Sequence, residues 1–135
     1  MKTLITGANG FLGSHLAKAL FARKDEVRCL VRAGSNASSL EGIGCEIVAG
    51  DVTQPETLQA AMQGVDVVFH LAGIRRAANR EEFMKVNGTA TQWVAEAMVT
   101  QKVRRLVFCG SLAASGPASA ERPRLESDPL SPEEW

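Results

Sequence analysis

The sequence contains no tyrosine, and phenylalanine and tryptophan together make up only 5% of its 135 residues. No step carried out by these residues can therefore use a phenol as its acid or base. Fifteen basic residues balance fifteen acidic ones, which gives a formal net charge of +0. Without an excess of either charge, the chain has no long-range field to attract nucleic acid or an anionic membrane, and we expect neither as a partner.

Long apolar runs and paired cysteines are also missing. The first apolar stretch, Leu4-Ile5, is far too short for the core of a signal peptide, and no run approaches the length of a membrane span. The three cysteines, Cys29, Cys45 and Cys109, lie in apolar runs and lack the spacing of a metal site. The sequence therefore predicts buried free thiols, no metal and a cytoplasmic location.

Short apolar segments rich in β-branched residues alternate with helical segments along the chain. The segments predicted as strands are Lys2–Thr6, Val27–Val31, Cys45–Ala49, Val65–Leu71 and Val103–Cys109. Their nearly continuous apolar character is typical of strands that are covered on both faces. The segments predicted as helices are Gly10–Arg23, Glu56–Met62 and Arg80–Thr100, with a shorter helical piece at Ser38–Glu41 and with Pro55 in a first turn capped by Thr53 or Gln54.

This alternation predicts right-handed βαβ units and a single three-layer α/β domain. A doubly wound parallel sheet with strand order 3-2-1-4-5 is the expected architecture. Four of the five prolines fall in residues 117–135, which also hold few apolar residues. We therefore expect a domain over residues 1–116 and a proline-rich loop or tail over 117–135, and we expect the chain to be a fragment, because no sixth strand follows.

The most informative motif is the turn Thr6-Gly7-Ala8-Asn9-Gly10-Phe11-Leu12-Gly13 between the first strand and the first helix. Gly7 permits a tight turn, Gly10 permits close approach of phosphates to the backbone, and Gly13 permits close packing of the helix on the strand. Free amides at the helix start favour a pyrophosphate there. A turn without a ligand is the alternative, but the βαβ context favours a Rossmann-type site for a nicotinamide dinucleotide. A nucleotide triphosphatase is disfavoured because no Gly-Lys-Ser/Thr follows.

The segment Thr6–Leu16 resembles the opening of the extended short-chain dehydrogenases/reductases, a family of epimerases, dehydratases and reductases. Matching motifs follow in order: Gly50-Asp51-Val52, Val68–Gly73, Val86-Asn87 and Leu106–Ser111. The resemblance implies that the aspartate faces the adenine, that the fourth-strand turn passes the ribose, and that Ser111 is catalytic. The cofactor-binding residues that the turn, the resemblance and the second strand's end predict are Gly7, Asn9, Gly10, Phe11, Leu12, Gly13, Arg32, Asp51, Val52, Leu71, Ala72, Gly73 and Asn87.

Several of these assignments have alternatives. Asp51 also suits a role as the cap of the turn before Pro55, and Ser111 also suits an ordinary strand end. A register that aligns Gly88-Thr89 with the family's Gly-Thr pair competes with the one that uses Asn87. His15 and His70 have no spacing partner, so we predict structural roles for both.

The choice of cofactor depends on the end of the second strand. Enzymes that prefer NAD carry an acidic residue there, whereas this chain has Val31 followed by Arg32. A guanidinium binds a 2′-phosphate in bidentate fashion, and Ser35 and Asn36 can add hydrogen bonds. NADP is therefore expected in preference to NAD, with a solvent-exposed Arg32 as the alternative.

The family's catalytic Tyr-x-x-x-Lys pair is absent, and Ser115-Gly116 replaces the family's Tyr-Gly. Two explanations fit: the chain stops just before the tyrosine, near Ser131–Trp135, or it is a noncatalytic dinucleotide sensor or assembly factor. The codons after Trp135 distinguish them. In either case we expect no turnover by the chain alone, a small-molecule sugar, alcohol or ketone substrate in the intact enzyme, and self-association through an open edge beside strand five.

Overall fold

The computed structural model describes residues 1–132, and residues 133–135 at the end of the predicted tail lie outside the described residues. The strands are β1 (Lys2–Thr6), β2 (Glu26–Val31), β3 (Glu46–Ala49), β4 (Val67–His70) and β5 (Arg105–Phe108). The α-helices are α1 (Phe11–Ala22), α2 (Pro55–Ala61), α3 (Arg80–Met84) and α4 (Ala90–Thr100), with 3-10 turns at Ser38–Leu40 and Leu112–Ser115. None of the helices in residues 1–132 is long and apolar enough to cross a membrane.

The five strands form one parallel sheet in the order β3-β2-β1-β4-β5, which confirms the predicted fold. Neighbouring side chains of β1 point to opposite faces, because successive residues of a strand alternate. Leu4 packs with Leu58 of α2 and Val94 of α4, and Ile5 packs with Ala17 of α1. The sheet is therefore the middle of three layers. Because the strands are parallel, the carboxyl ends of β1, β2, β3 and β4 all lie at the same edge of the sheet.

The prediction that every strand is covered on both faces is wrong for the two edge strands. All four residues of β5 are exposed, and so are three of the four residues of β3. An edge strand has a neighbour on one side only, and in this structure the helices lie over the central strands. The prediction of three buried thiols fails for the same reason: Cys29 on β2 is buried, Cys45 is half-buried, and Cys109 after β5 is exposed.

The predicted helix Arg80–Thr100 is interrupted by a π turn at Lys85–Thr89, between α3 and α4. The side chain of Asn87 in this turn bonds the backbone of Ile74 instead of pointing to solvent. Gly88 follows it and lacks the side chain that would stabilise an ordinary turn. The widened turn therefore places Asn87 beside the segment that follows β4, as π turns at functional sites commonly do.

The predicted tail contains no helix or strand within residues 117–132. The Ser131 amide donates to the Ala114 carbonyl at 3.2 Å, so the segment folds back onto the 3-10 turn after β5. Arg124 and Asp128 form an ion pair within this segment.

Candidate functional site

The glycine turn joins β1 to α1 and leaves the start of α1 uncapped. Gly10 occupies the N-cap position, and no side chain bonds the first amides of the helix. The Phe11 and Leu12 side chains, at the start of α1, are 85% and 51% exposed. Because the first amides of a helix have no partner within it and carry its positive dipole end, this turn is built to receive an anion.

Two of the three glycines are required by close backbone approaches. Gly7 has a φ of +68°, and a Cβ there would lie 2.8 Å from the Ala72 amide nitrogen. A Cβ on Gly13 would lie 2.7 Å from the Cα of Ala8. Gly10 is exposed, and a Cβ on it would contact only the Gly7 carbonyl, at 3.2 Å.

A cavity of about 430 Å³ opens beside this turn, over the carboxyl ends of the first four strands. Most of the predicted cofactor residues line it, namely Gly7, Asn9, Gly10, Arg32, Asp51, Val52, Leu71, Ala72 and Gly73. Phe11, Leu12, Gly13, Asn87 and Ser111 are not among its lining residues. Size, position and lining suit an elongated ligand that runs from the ends of β2 and β3, past the glycine turn, to the end of β4.

Asp51 performs the turn role and also faces the cavity. Its Oδ1 accepts hydrogen bonds from the Thr53 amide and the Thr53 hydroxyl, both at 2.8 Å. The half-buried carboxylate lines the cavity between β3 and α2. Thr57, not Asp51, bonds the Gln54 carbonyl at the start of α2. The two interpretations of this aspartate are therefore compatible.

Arg32 lies at the end of β2, where the cavity meets a second depression lined also by Ser35 and Asp51. The side chain is exposed, and its guanidinium has no hydrogen bond or ion pair to residues 1–132. Asn36 does not line either space; its carbonyl accepts from Asn9 and its side chain accepts from the Ser38 amide. Within the described part of the chain, Arg32 thus has no partner at the mouth of the cavity, and it lies on the loop whose Asn36 carbonyl accepts from Asn9 of the glycine turn.

Asn87 holds the far wall of the cavity without lining it. Its Oδ1 accepts from the Ile74 amide and its Nδ2 donates to the Ile74 carbonyl, both at 2.9 Å. A Cβ on Gly73 would lie 3.0 Å from the same Oδ1. These contacts place Asn87 beside the segment that follows β4. The choice between the register that uses Asn87 and the one that uses Gly88-Thr89 stays a prediction.

His70 lies beneath the site, at the end of β4, with no exposed surface. Its ring nitrogens lie 2.7 Å from the Thr6 hydroxyl and 3.1 Å from the Thr91 hydroxyl. Burial lowers the pKa of His70 from 6.5 to about 4, so the ring is neutral at pH 7. His15 is exposed on α1, where it contacts the Phe11 ring and carbonyl. Both histidines thus make contacts of the structural kind.

Ser111 caps the 3-10 turn after β5, where its side chain accepts from the Ala113 amide at 3.2 Å. Arg75 and Arg76 after β4 are exposed and line no part of the cavity. The wall also contains Glu82 and Lys85, which the sequence analysis missed. Their spacing of three places them on one helix face. In the sequence, only the prediction of Asn87 as a site residue indicated that this face is directed toward the cavity.

The comparisons with known proteins agree with this geometry. The model of the NAD dependent epimerase/dehydratase family matches residues 3–134. The chain is 35% identical over 133 residues to a 4-hydroxy-2-methyl-3-oxo-4-farnesyl-3,4-dihydroquinoline-1-oxide ketoreductase of Stigmatella aurantiaca, covering 98% of this chain and 39% of that protein. It is 31% identical over 111 residues to photosystem II assembly factor Ycf39 of Trieres chinensis, covering 82% of this chain and 34% of that protein.

Among solved structures, a UDP-glucose-4-epimerase of Stenotrophomonas maltophila with bound NAD and formylated UDP-arabinopyranose superimposes with a TM-score of 0.85. The identity is 25%, and the match covers 97% of this chain and 43% of that chain. The chain thus spans about two fifths of the length of the proteins that it resembles.

Proposed function

Because the chain belongs to the NAD-dependent epimerase/dehydratase family of extended short-chain dehydrogenases/reductases, we propose that it is the cofactor-binding part of an epimerase, dehydratase or reductase. The cavity carries the proposal, since it joins an uncapped helix start to four strand ends. The substrate class that we propose is a nucleotide sugar, an alcohol or a ketone. The dinucleotide, when bound, supplies or accepts the hydride.

The residues of the chain divide the work of binding. The amides of the glycine turn and of Phe11 and Leu12 hold the pyrophosphate, and Gly13 allows α1 to reach it. Asp51 and Val52 face the adenine end, and the wall from Leu71 to Gly73, held by Asn87, faces the ribose. We assign Ser111 to the active site of the intact enzyme, where it orients the substrate oxygen. Without a tyrosine, the chain alone binds cofactor and turns over no substrate.

We propose further that Arg32 makes the site prefer NADP. Calorimetric titration of the chain with NADP⁺ and with NAD⁺ tests this, using Arg32→Ala against Arg76→Ala as the matched control. Charge-assisted hydrogen bonds contribute about 1.5–3 kcal/mol, so Arg32→Ala should weaken NADP⁺ binding by about tenfold or more and leave NAD⁺ binding unchanged. Arg76→Ala, which removes an exposed cation outside the cavity, should change neither. Equal NADP⁺ affinity in wild type and Arg32→Ala would contradict the proposal that Arg32 makes the site prefer NADP.

A second function, that of a noncatalytic assembly factor, is favoured by the likeness to the assembly factor of Trieres chinensis. It would use the same cofactor site without the catalytic Tyr-x-x-x-Lys pair. A coding sequence that continues with Tyr-x-x-x-Lys supports the enzyme, and one without that pair supports the assembly factor.

The exposed edge strand leads to a proposal about partners. Leu106, Val107 and Phe108 of β5 are all exposed, and no strand of residues 1–132 pairs with the outer side of β5. We expect the chain alone to self-associate through this edge, and Val107→Lys to shift it toward the monomer in light scattering. Ile47→Lys on the opposite edge strand, which removes a side chain that is 51% exposed, is the control. A wild-type monomer at high concentration contradicts the proposal.

We propose a cytoplasmic location because the three cysteines are free thiols, which persist in reducing compartments.

A further inference from the structure

One buried histidine connects the two sides of the proposed cofactor cavity. His70 ends β4, and its ring lies between the hydroxyl of Thr6 at the end of β1 and the hydroxyl of Thr91 on α4. Thr6 and His70 have no exposed surface. None of these three side chains is among the residues that line the cavity.

The hydrogen bonds around His70 have one consistent direction. The Thr91 hydroxyl donates its only hydrogen to the Asn87 carbonyl at 2.9 Å, so the same oxygen accepts from Nε2–H of His70. The Nδ1 atom of the neutral ring then has no hydrogen and accepts from the Thr6 hydroxyl. The Thr6 oxygen in turn accepts from the Ala72 amide at 3.2 Å. Each hydrogen in this hydrogen-bond network is donated once, and no two donors face each other.

The two ends of this hydrogen-bond network hold the two ends of the cavity wall. Thr6 holds Ala72, and Asn87 holds Ile74 through the amide and the carbonyl of that residue. Ala72 also lies against Gly7, the first glycine of the turn. The wall Leu71–Ile74, the glycine turn and the π turn are therefore connected through one imidazole ring.

We propose that His70, held as the neutral Nε2–H tautomer, is a positioning residue that sets the spacing between the glycine turn and the wall Leu71–Ile74. The inference rests on the proposed dinucleotide site. It assigns affinity to three side chains that do not line the cavity. A ring with the opposite tautomer would either place two lone pairs against each other at Thr91 or take the Thr91 hydrogen away from the Asn87 carbonyl.

The test uses Thr6→Val, Thr91→Val and the double variant, titrated with NAD⁺ and NADP⁺. Valine keeps the shape of threonine and removes the hydroxyl. Each single variant removes a hydroxyl that makes two hydrogen bonds. It should weaken binding about fivefold or more, since one internal hydrogen bond contributes about 1 kcal/mol. The double variant should lose little more affinity than either single variant, because one substitution already interrupts the hydrogen-bond network through His70. Additive losses would show two independent local effects and overturn the inference.

Thr3→Val is the matched control. Thr3 is another fully buried threonine of β1, and it bonds the Glu26 carbonyl at the end of the strand away from the cavity. It should lose stability but bind the dinucleotide as the wild type does. Denaturant unfolding of every variant shows that each is folded under the titration conditions. A Thr3→Val loss equal to that of Thr6→Val would mean that lowered stability alone explains the result.

Nitrogen-15 NMR of the imidazole side chains tests the tautomer without any ligand. With His15→Gln to assign the signals, His70 should show the Nε2–H form at pH 7. The Nδ1–H form or a charged ring would overturn the inference. If the wild type binds no dinucleotide, the proposed function fails and the inference fails with it. If the wild type binds and the Thr6 and Thr91 variants bind equally well, only the inference fails.

Discussion

The Gly7→Ala variant is expected to unfold with a free energy about 3 kcal/mol or more below that of the wild type, and to lose its dinucleotide affinity. A Cβ at this position would lie 2.8–2.9 Å from backbone atoms of Leu71 and Ala72, a separation that real Cβ atoms essentially never show. Backbone atoms of a central strand end cannot move aside as a flexible side chain would. Relief therefore requires the turn and the wall of the cavity to separate. Denaturant unfolding and calorimetric titration measure the two effects.

Gly64→Ala separates the steric effect from the conformational one. Gly64 has a φ of +71°, close to the +68° of Gly7, and a Cβ there meets nothing within 4 Å. Its expected loss is therefore only the cost of a left-handed residue, about 1 kcal/mol. Equal losses in the two variants would mean that the contact with Ala72 costs nothing.

The second large effect is a loss of stability in mild acid that depends on His70. Its pKa is 6.5 in the unfolded chain and about 4 in the folded one, because burial disfavours the charged ring. Well above pH 6.5 the ring is neutral in both states, and protonation of His70 costs the folded protein no stability. As the pH falls from 6.5 toward 4, the unfolded state binds the proton more readily, and stability falls by 1.36 kcal/mol per pH unit. Between about pH 7.5 and about pH 4.5 the loss should reach roughly 2.5 kcal/mol.

The His70→Asn variant isolates this contribution. Its absolute stability is lower, but its pH dependence should lack the part due to the ring. Asp25 and Glu46, whose pKa values are lowered by hydrogen bonds from Arg23 and Arg28 respectively, act on both proteins alike and cancel in the difference. Urea unfolding of both proteins at the two pH values gives the result. Parallel pH curves would show that His70 is charged or exposed in the folded state.

The glycine turn illustrates what could be predicted from the sequence. Its spacing between a β-branched strand and a helix predicted a backbone anion site, and the structure shows an uncapped helix start there. The apolar runs likewise predicted five strands within about two residues of their observed ends, since strand type is a local property of side-chain shape and burial. The family resemblance further predicted Asp51 and Leu71 as cofactor-binding residues, because both lie in short sequence motifs of the family.

The exposure of β5 and Cys109 could not be predicted in this way. An apolar run predicts that a strand is buried, but whether a helix packs over it depends on the rest of the fold. Arg28 is a second example, because its sequence neighbours indicate an ordinary strand residue. In the structure it is buried and donates to the Ala61 carbonyl at 2.7 Å and to Glu46, joining β2 to the end of α2 and to β3.

The sequence by itself determined the parallel sheet, its strand order and the position of the glycine turn, because periodicity, glycine spacing and βαβ handedness act over short stretches of chain. Only the tertiary structure decided how His70 is used. The sequence predicted a structural histidine and nothing of its partners, since Thr6 and Thr91 lie 64 and 21 residues away along the chain. Parallel strand pairing brings Thr6 beside His70, and packing of α4 on the sheet brings Thr91 to the other side of the ring.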